Sequence, residues 1–388
     1  MIQNTKYIAL TGGAAAAEAL KQINPDVMPV YPITPQTPII EVFAKMVADG
    51  EVDTEIIQVE SEHSAMSAAM GAQAAGVRAV TASSSQGIML MSEILPIVSG
   101  TRLPALMVVS ARALSAPINI HGDHEDVMAV RDLGWIQIIS ENAQEVYDNV
   151  FIALKMAEKV RIPAMVIMDG FITSHSVENL EIVDTAAVRG YVGEYKPKKY
   201  LLDIENPVSF GPVGLPNSFF EFKRAQIEAM NDATVAYKEA ADEYAVLTGR
   251  KYDYFEGYQL EDAERVIVIA GSAAGAAKVA IDEMRADGEK VGLLKIKLFR
   301  PFPYKKIAEA LKNAKNIAVL DRTVPLGSDA PLFSDILNSL FKIQNPKSKI
   351  QSYIYGLGGR EIFSKDIKQV FEDLKKENGE SLKYIGLK

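Results

Sequence analysis

RAVTASSSQGIMLMSEILPIVSGTRLPALMVVSAR, Arg78 to Arg112, is the stretch that decides the fold. ALMVV (105–109) is continuously apolar and RAVTA (78–82) nearly so, the pattern of strands covered on both faces rather than of an open antiparallel sheet. Between them lies a helical segment opened by serines, which makes the unit strand, helix, strand. The same rhythm extends to both sides. KYIAL (6–10), VMPVY (27–31), EIIQV (55–59), IQIIS (136–140) and AMVIM (164–168) are further strand candidates separated by helical segments. This alternation predicts an α/β domain over residues 1–175, a doubly wound parallel sheet with helices on both faces.

The rhythm breaks over residues 176–258. Pro197, Pro207, Pro212 and Pro216 fall in its first part, and a long amphipathic helix follows. Phe220, Ile227, Met230, Tyr237, Ala241, Tyr244 and Leu247 recur there at helical spacing, with Gly249 placed to stop the helix. This segment reads as a connector packed on the body. A second, smaller α/β unit over 259–388 begins with RVIVIAGSAAGAAKVAIDEM (265–284). It continues through KVGLLKIKLFRPFP (290–303) and NIAVLDR (316–322) and closes after YIYGLGGREI (353–362).

Bulk properties narrow the function. The chain has 388 residues, 48% of them apolar and 23% charged, which suits a folded protein of two domains or three. A net charge of -9 argues against a nucleic-acid partner, since phosphate backbones need a basic surface. The absence of cysteine excludes disulfides, a thiolate nucleophile and a cysteine-held iron–sulfur cluster on this chain. Glu18 interrupts the alanine-rich stretch nearest to a leader peptide, and no apolar run is long enough to cross a bilayer, so a cytoplasmic protein without membrane association is expected.

Ligands of open parallel sheets collect at the carboxyl ends of the strands. The residues just past those ends are Pro32 to Pro35, Ser61 to His63, Ser83 to Gly87 and Ser110 to Asp126. Familiar cofactor motifs are absent from them. No Gly-x-Gly-x-x-Gly follows a strand, GSAAG (271–275) keeps only the outer glycines of a shorter turn, and there is no Walker loop. The Gly-Asp-Gly of thiamine enzymes, a nucleophile elbow and a His-Glu-x-x-His helix are missing too. Any phosphorylated cofactor would therefore have its phosphates held by another chain. His121 and His124 stand among Asp123, Glu125 and Asp126 in NIHGDHEDV. The set could bind a metal, but a polar loop at a cleft or subunit contact accounts for it with hydrogen bonds alone, and no metal is assigned. GLGGR (356–360) reads as a tight turn.

Four pieces, in order and spacing, carry a resemblance: YPITPQTPIIE (31–41), VESEHSAMSAAMGAQAAG (59–76), SSSQGIMLMSEILPIVSGTRLP (83–104) and ARALSAPINIHGDHEDVMAVRDLGWIQ (111–137). Together they resemble the α subunit of the 2-oxoacid:ferredoxin oxidoreductases, most closely the multi-subunit pyruvate enzymes. RPFP (300–303) and YGLGGRE (355–361) are similar to that family's second domain, so the match covers nearly the whole chain. The resemblance implies a thiamine diphosphate pyrimidine-binding domain followed by a domain like the C-terminal domain of transketolases. It implies that a β subunit holds the diphosphate and Mg2+, that 4Fe-4S clusters sit on β and δ, and that γ contributes to the coenzyme A region. Ferredoxin is the implied electron acceptor, and pyruvate and coenzyme A the implied substrates.

Residue by residue, Glu62 matches the glutamate that hydrogen-bonds N1′ of the aminopyrimidine. A carboxyl there favours the imino tautomer that takes the proton from thiazolium C2, and apolar surroundings raise its pKa. Taken without its context, Glu62 reads equally as a carboxylate stabilising a helix N-terminus. By resemblance Thr34, flanked by prolines, binds the 2-oxoacid, while as a plain loop residue it caps the next helix, a role Thr37 fills as well. Arg112 by resemblance pairs with the substrate carboxylate through its planar fork, against a surface salt bridge otherwise. Pro32, Ile33, Ser85 and Gln86 are the remaining implied cofactor contacts, with serine caps the other reading of 83–87. His63 supports Glu62 or a subunit contact. The implied reaction is oxidative decarboxylation of pyruvate to acetyl-CoA. Alternatives are the same chemistry on a branched-chain 2-oxoacid, a cluster-free thiamine enzyme, and a non-catalytic scaffold.

Overall fold

The computed structural model describes residues 6–324, 326–342, 348–376 and 382–388. In chain order the strands are β1 (Lys6–Thr11), β2 (Val27–Val30), β3 (Glu55–Gln58), β4 (Val80–Ser83), β5 (Leu106–Ala111), β6 (Ile136–Ile139), β7 (Ala164–Asp169) and β8 (Val177–Ile182). They continue with β9 (Phe255–Tyr258), β10 (Arg265–Ala270), β11 (Val291–Ile296), β12 (Leu298–Arg300), β13 (Asn316–Asp321), β14 (Lys349–Ile354) and β15 (Leu382–Tyr384).

The first sheet runs β4–β5–β7–β6 in parallel, with β12 added antiparallel beside β6. A parallel pair, β3–β2, joins its other end through the bridge from Val27 to Ala79 and the bond from Thr81 Oγ1 to the Pro29 carbonyl (2.8 Å). The resulting order, β3–β2–β4–β5–β7–β6, reverses direction between β2 and β4. That gap is a topological switch point, where the loops after the two strands diverge and leave a crevice.

Alternation along the central strands explains their unbroken apolar sequences. Leu106 and Val108 of β5 face one core, with the helices Gly12–Ile23 and Ala143–Val160, while Met107 and Val109 face the other. This second core also takes in Val266, Val268, Leu294, Ile296, Ile317 and Val319 of the second sheet. One continuous apolar interior therefore welds the two units.

The second sheet has the order β15–β14–β13–β10–β11–β9, parallel except for β9. The architecture is thus the α/β class expected, but several strands serve elsewhere than sequence order suggests. KYIAL pairs antiparallel with β8 in a separate two-stranded ribbon, because its residues alternate in exposure and cannot sit inside a doubly covered sheet. Phe255–Tyr258, at the end of the segment that reads as a connector, edges the second sheet, and Leu298–Arg300 leaves the second unit to edge the first. Each sheet thus takes the strand at one of its edges from the neighbouring region.

The helix Phe219–Thr248 ends as predicted at Gly249, whose φ of 76° is left-handed. Its buried stripe, however, is Ala229, Ala233, Ala236, Tyr237, Ala240, Ala241 and Tyr244, whereas Phe220 and Ile227 are exposed at 77% and 56%. Small residues let this helix lie close on Ala143–Val160, and apolar spacing alone does not reveal where that neighbour's contact begins. Beneath it the fully buried Asp148 accepts from Tyr244 Oη (2.6 Å), Arg250 Nε (2.7 Å), Arg250 Nη2 (2.9 Å) and Tyr252 Oη (2.5 Å).

Lys295, 1% exposed, lies among Glu141, Glu145 (2.8 Å) and Glu256 (2.6 Å), and Lys297 reaches Glu145 at 2.6 Å. Burial opposes ionisation of Glu145, yet the two ammonium groups hold its carboxyl down at about 2. The acidic trio is thus neutralised from within the chain.

Removing one partner of a buried charge pair strands the other. Asp148→Ala, which leaves two buried tyrosine hydroxyls without their acceptor and Arg250 with Glu181 (3.1 Å) as its remaining carboxylate, is expected to lower unfolding free energy by roughly 3 kcal/mol, read from a denaturant melt.

Candidate functional site

Four loops meet at the switch point. Glu62 begins the helix Glu62–Ala75, capped by Ser61 Oγ, which accepts from the Ser64 N–H (3.2 Å). The carboxyl is 6% exposed and, among the described residues, has no cationic partner. Burial raises its pKa, offset only in part by its own backbone N–H. The side chain points toward Gly87: a Cβ there would stand 2.6 Å from Glu62 Oε1 and 2.5 Å from Ser83 Oγ. Glycine is therefore required on steric grounds. Ser83 Oγ is itself buried with no hydrogen-bond partner among the described residues, as is Ser110 Oγ.

The loop after β2 is fastened across the crevice. Gln36, fully buried, donates through Nε2 to the Ala82 carbonyl of β4 (2.9 Å), and its Oε1 accepts from the Ile33 N–H (3.4 Å). Gln36 thereby occupies the position before the helix Thr37–Ala48, and neither Thr34 nor Thr37 supplies a side-chain cap. Thr34 and Pro32 are exposed and Ile33 half-buried at the mouth of the crevice. The Thr34 carbonyl accepts from Arg112 Nη1 (2.8 Å).

Arg112, 6% exposed, also donates through Nε to the Asn119 carbonyl (2.8 Å). Its guanidinium forms no ion pair among the described residues, unlike the surface salt bridge that sequence alone leaves open. A buried cation held only by carbonyls keeps its charge available to an anion.

The serines after β4 do not cap the helix Ser85–Met91. Ser84 donates to the Ser110 carbonyl (2.6 Å), and Ser85 donates to the Ala113 carbonyl (2.5 Å), with Gln86 Oε1 at 2.8 Å. The first bond ties the end of β4 to β5 itself and the second to the loop after β5. Ser85 adopts a left-handed φ of 49°, a strain of order 1–3 kcal/mol for a residue other than glycine. Gln86 is exposed. His63 Nε2 lies 3.2 Å from the exposed Glu93, on the outer surface.

The acidic loop proves to be a set of supports. Asp126, fully buried, accepts backbone N–H groups from Ser85 (2.7 Å), Arg112 (2.9 Å) and Val127 (2.8 Å). Burial pushes its carboxyl up to about 7. Asp123 accepts from the Gly358 and Glu125 N–H groups (2.9 and 3.0 Å), and Asn119 donates to the Gly358 carbonyl (3.0 Å). GLGGR is thus the turn expected, with left-handed Gly356, Gly358 and Gly359, and it docks against NIHGDHED.

His124 reaches the buried Asp169 at 2.6 Å. Asp169 also binds Arg322 Nη1 (2.8 Å) and the Ser272 N–H (2.9 Å). The GSAAG turn is therefore filled by a side-chain carboxylate, and a Cβ on Gly271 would meet that carboxylate at 2.9 Å. Burial opposes it, but Arg322 and His124 hold the Asp169 carboxyl below the usual carboxylate range.

Sequence reasoning missed Gln36, Asp126, Asp169 and Arg322 as structural supports of this site. Arg322 immediately follows β13 and Asp169 closes β7, whereas Gln36 and Asp126 lie farther along the segments that follow β2 and β5.

Residues 18–242 match the family described as pyruvate flavodoxin/ferredoxin oxidoreductase, thiamine diphosphate-binding, and residues 263–367 match the pyruvate:ferredoxin oxidoreductase core domain II. The chain belongs to the pyruvate:ferredoxin oxidoreductase family. Among its relatives, pyruvate synthase subunit PorA of Thermotoga maritima is 50% identical, covering 98% of each chain. The PorA subunit of Methanocaldococcus jannaschii is 46% identical, over 98% of this chain and 97% of the relative. Ketoisovalerate oxidoreductase subunit VorA of Pyrococcus abyssi is 40% identical, over 95% and 93%.

Two solved structures share the fold. One is a 2-oxoglutarate:ferredoxin oxidoreductase from Magnetococcus marinus, with a TM-score of 0.71 and 20% identity, matched over 95% of this chain and 65% of that one. The other is a split-gene transketolase, with a TM-score of 0.56 and 12% identity, over 94% and 98%.

A thiamine aminopyrimidine suits the family member described here. Glu62 offers it a buried carboxyl unpaired by any cation among the described residues, and Gly87, having no side chain, lets that carboxyl lie against the start of the next helix. Gly87→Ala is expected to displace the Glu62 carboxyl and destabilise the fold by about 1–3 kcal/mol, with turnover lost well below the melting temperature. Asp169, whose pKa is depressed on folding, adds stability above its unfolded value of about 3.9, and this is lost as pH falls through the folded value. Asp169→Asn should therefore flatten the acid limb of a stability-versus-pH curve while lowering stability at neutral pH.

Proposed function

We propose that this chain is the α subunit of a pyruvate:ferredoxin oxidoreductase, which converts pyruvate and coenzyme A to acetyl-CoA and carbon dioxide and passes two electrons to ferredoxin. The observation that carries the reading is the buried, cation-free Glu62 carboxyl set against Gly87 at the switch point of the first sheet. Near full-length identity of 50% and 46% to pyruvate synthase subunits supports pyruvate as substrate. The 40% identity to a ketoisovalerate oxidoreductase subunit keeps a branched-chain 2-oxoacid as the second reading, and the ratio of kcat/KM on the two acids decides between them.

Thiamine diphosphate, when bound, supplies the electron sink that makes loss of carbon dioxide feasible. The chain's own residues prepare the site. Glu62 holds the aminopyrimidine at N1′ and shares a proton with it, and its raised pKa keeps that proton on the carboxyl at higher pH than an exposed glutamate would. Pro32, Ile33, Ser85 and Gln86 form the surrounding wall. Arg112 binds the 2-oxoacid carboxylate, its orientation fixed by the Thr34 and Asn119 carbonyls, and Thr34 offers its hydroxyl at the mouth.

No cysteine is present to hold a cluster, and no Gly-Asp-Gly is present to hold magnesium. The diphosphate and Mg2+ are accordingly assigned to a β partner and the 4Fe-4S clusters to β and δ, with γ contributing to the coenzyme A region. The working division is a pyrimidine-binding domain over 1–175, a connector over 176–258 and a transketolase C-terminal-like domain over 259–388. Among the described residues no helix is long and apolar enough to cross a membrane, in keeping with a proposed cytoplasmic location.

Glu62→Gln keeps the shape but cannot ionise. In the assembled complex, anaerobic reduction of ferredoxin driven by pyruvate and coenzyme A should fall by roughly 10²–10⁴-fold. Wild-type turnover in that variant, or a wild-type complex that contains no iron and reduces no acceptor, is incompatible with the reading.

A further inference from the structure

We propose that Asp126 is a positioning residue for the reaction, holding Arg112 and the start of the Ser85–Met91 helix in register through a single carboxylate oxygen. The inference rests on the function proposed above, because it gives a task to a residue that touches neither substrate nor cofactor.

The geometry is specific. Asp126 Oδ2 accepts the Ser85 N–H at 2.7 Å and the Arg112 N–H at 2.9 Å, while Oδ1 accepts the N–H of the next residue, Val127, at 2.8 Å. Ser85 follows β4 and Arg112 follows β5, so one oxygen spans the carboxyl ends of two adjacent strands. Each loop also carries one side of the site. Two residues beyond Ser85 is Gly87, which faces Glu62, and the side chain of Arg112 reaches back to the Thr34 carbonyl.

Ser85 needs such an anchor, being held at a left-handed φ of 49°. Its hydroxyl, bonded to the Ala113 carbonyl, gives a second tie to the β5 loop but none that fixes the N–H direction. The Asp126 carboxyl does so, its Oδ2 accepting both amide N–H groups at once. Asp126 is itself supported from behind, since His124, two residues earlier, is pinned to Asp169. The side chain thereby passes the docking of the second unit on to the substrate loop.

Asp126→Asn keeps one oxygen to face the two N–H groups but turns an amide NH2 toward the Val127 N–H, so the side chain can no longer satisfy all three donors. In the assembled complex, KM for the 2-oxoacid should rise roughly tenfold with kcat changed by less than about threefold, because the ground-state and transition-state grip of Arg112 weaken together. A structural defect could raise KM too, so the decisive comparison is made in an Arg112→Lys background. If Asp126 acts through Arg112, the KM ratio produced by Asp126→Asn collapses toward unity there; an undiminished ratio overturns the proposal.

Amide hydrogen exchange of the complex gives a reading without turnover. Protection at Ser85 and Arg112 should fall by roughly tenfold or more in Asp126→Asn, and unaltered protection at both overturns the proposal. This arm stands even if the wild-type complex turns over no 2-oxoacid, a result that counts against the function instead. Should the variant fail to assemble, wild-type exchange decides. The two amides, bound to one oxygen, should open together with rates within about threefold, and unrelated rates rule the proposal out.

Discussion

The carboxylate of Asp169 stands where the two sheets face each other, at the end of β7, bound to Ser272 and Arg322 from the second unit and to His124 from the first. Much of the site depends on that meeting. His124 begins the turn that presents Asp126, Asp126 holds the N–H groups of Ser85 and Arg112, and Arg112 holds the Thr34 loop. The chain of contacts runs from an inter-unit ion pair to the mouth of the crevice with a hydrogen bond or a short turn at every link. Burial makes each link costly to break, because any group left behind has no water to replace its partner.

The same economy explains why a polar site survives inside an apolar body. The first sheet is covered on both faces, and its second core continues into the second sheet, so the strand ends are the natural outlet for polar groups. At those ends Gln36, Asp123, Asp126 and Asp169 all have their oxygens filled by N–H donors or cations from the chain itself. The exceptions are informative. Among the described residues Glu62 has no cation, Arg112 has no carboxylate and the Ser83 hydroxyl has no partner, and all three lie at the carboxyl ends of neighbouring strands of the first sheet. An enzyme subunit that works on a cofactor and a 2-oxoacid supplied from elsewhere needs this kind of incompleteness.

A turn that resembles part of a nucleotide-binding loop also finds its explanation here. GSAAG precedes the helix Ala274–Ala286, where backbone N–H groups favour an anion, and Asp169 supplies that anion from within the chain. The turn serves as a socket for the first unit. Likewise the acidic trio around Lys295 is closed by lysine ammonium groups, which turns a cluster of like charges into a joint between the units.

By itself the sequence determined the class of fold, the central strands and the end of the long helix. Runs such as ALMVV report two-sided burial directly, because only a doubly covered strand can be apolar at every position, and Gly249 reports a helix end because few other residues accept its φ. Motif resemblance singled out Glu62, Thr34 and Arg112. Only the tertiary structure decided that KYIAL leaves the main sheet, that Phe220 lies outside the packed stripe, and that the serines after β4 bond to β5 and the loop beyond it instead of capping a helix. It alone decided the work of Asp126 and Asp169 as well. Those roles are set by partners far away in sequence, 41 residues for Asp126 with Ser85 and 103 for Asp169 with Ser272, and no local pattern encodes a contact that strand order creates.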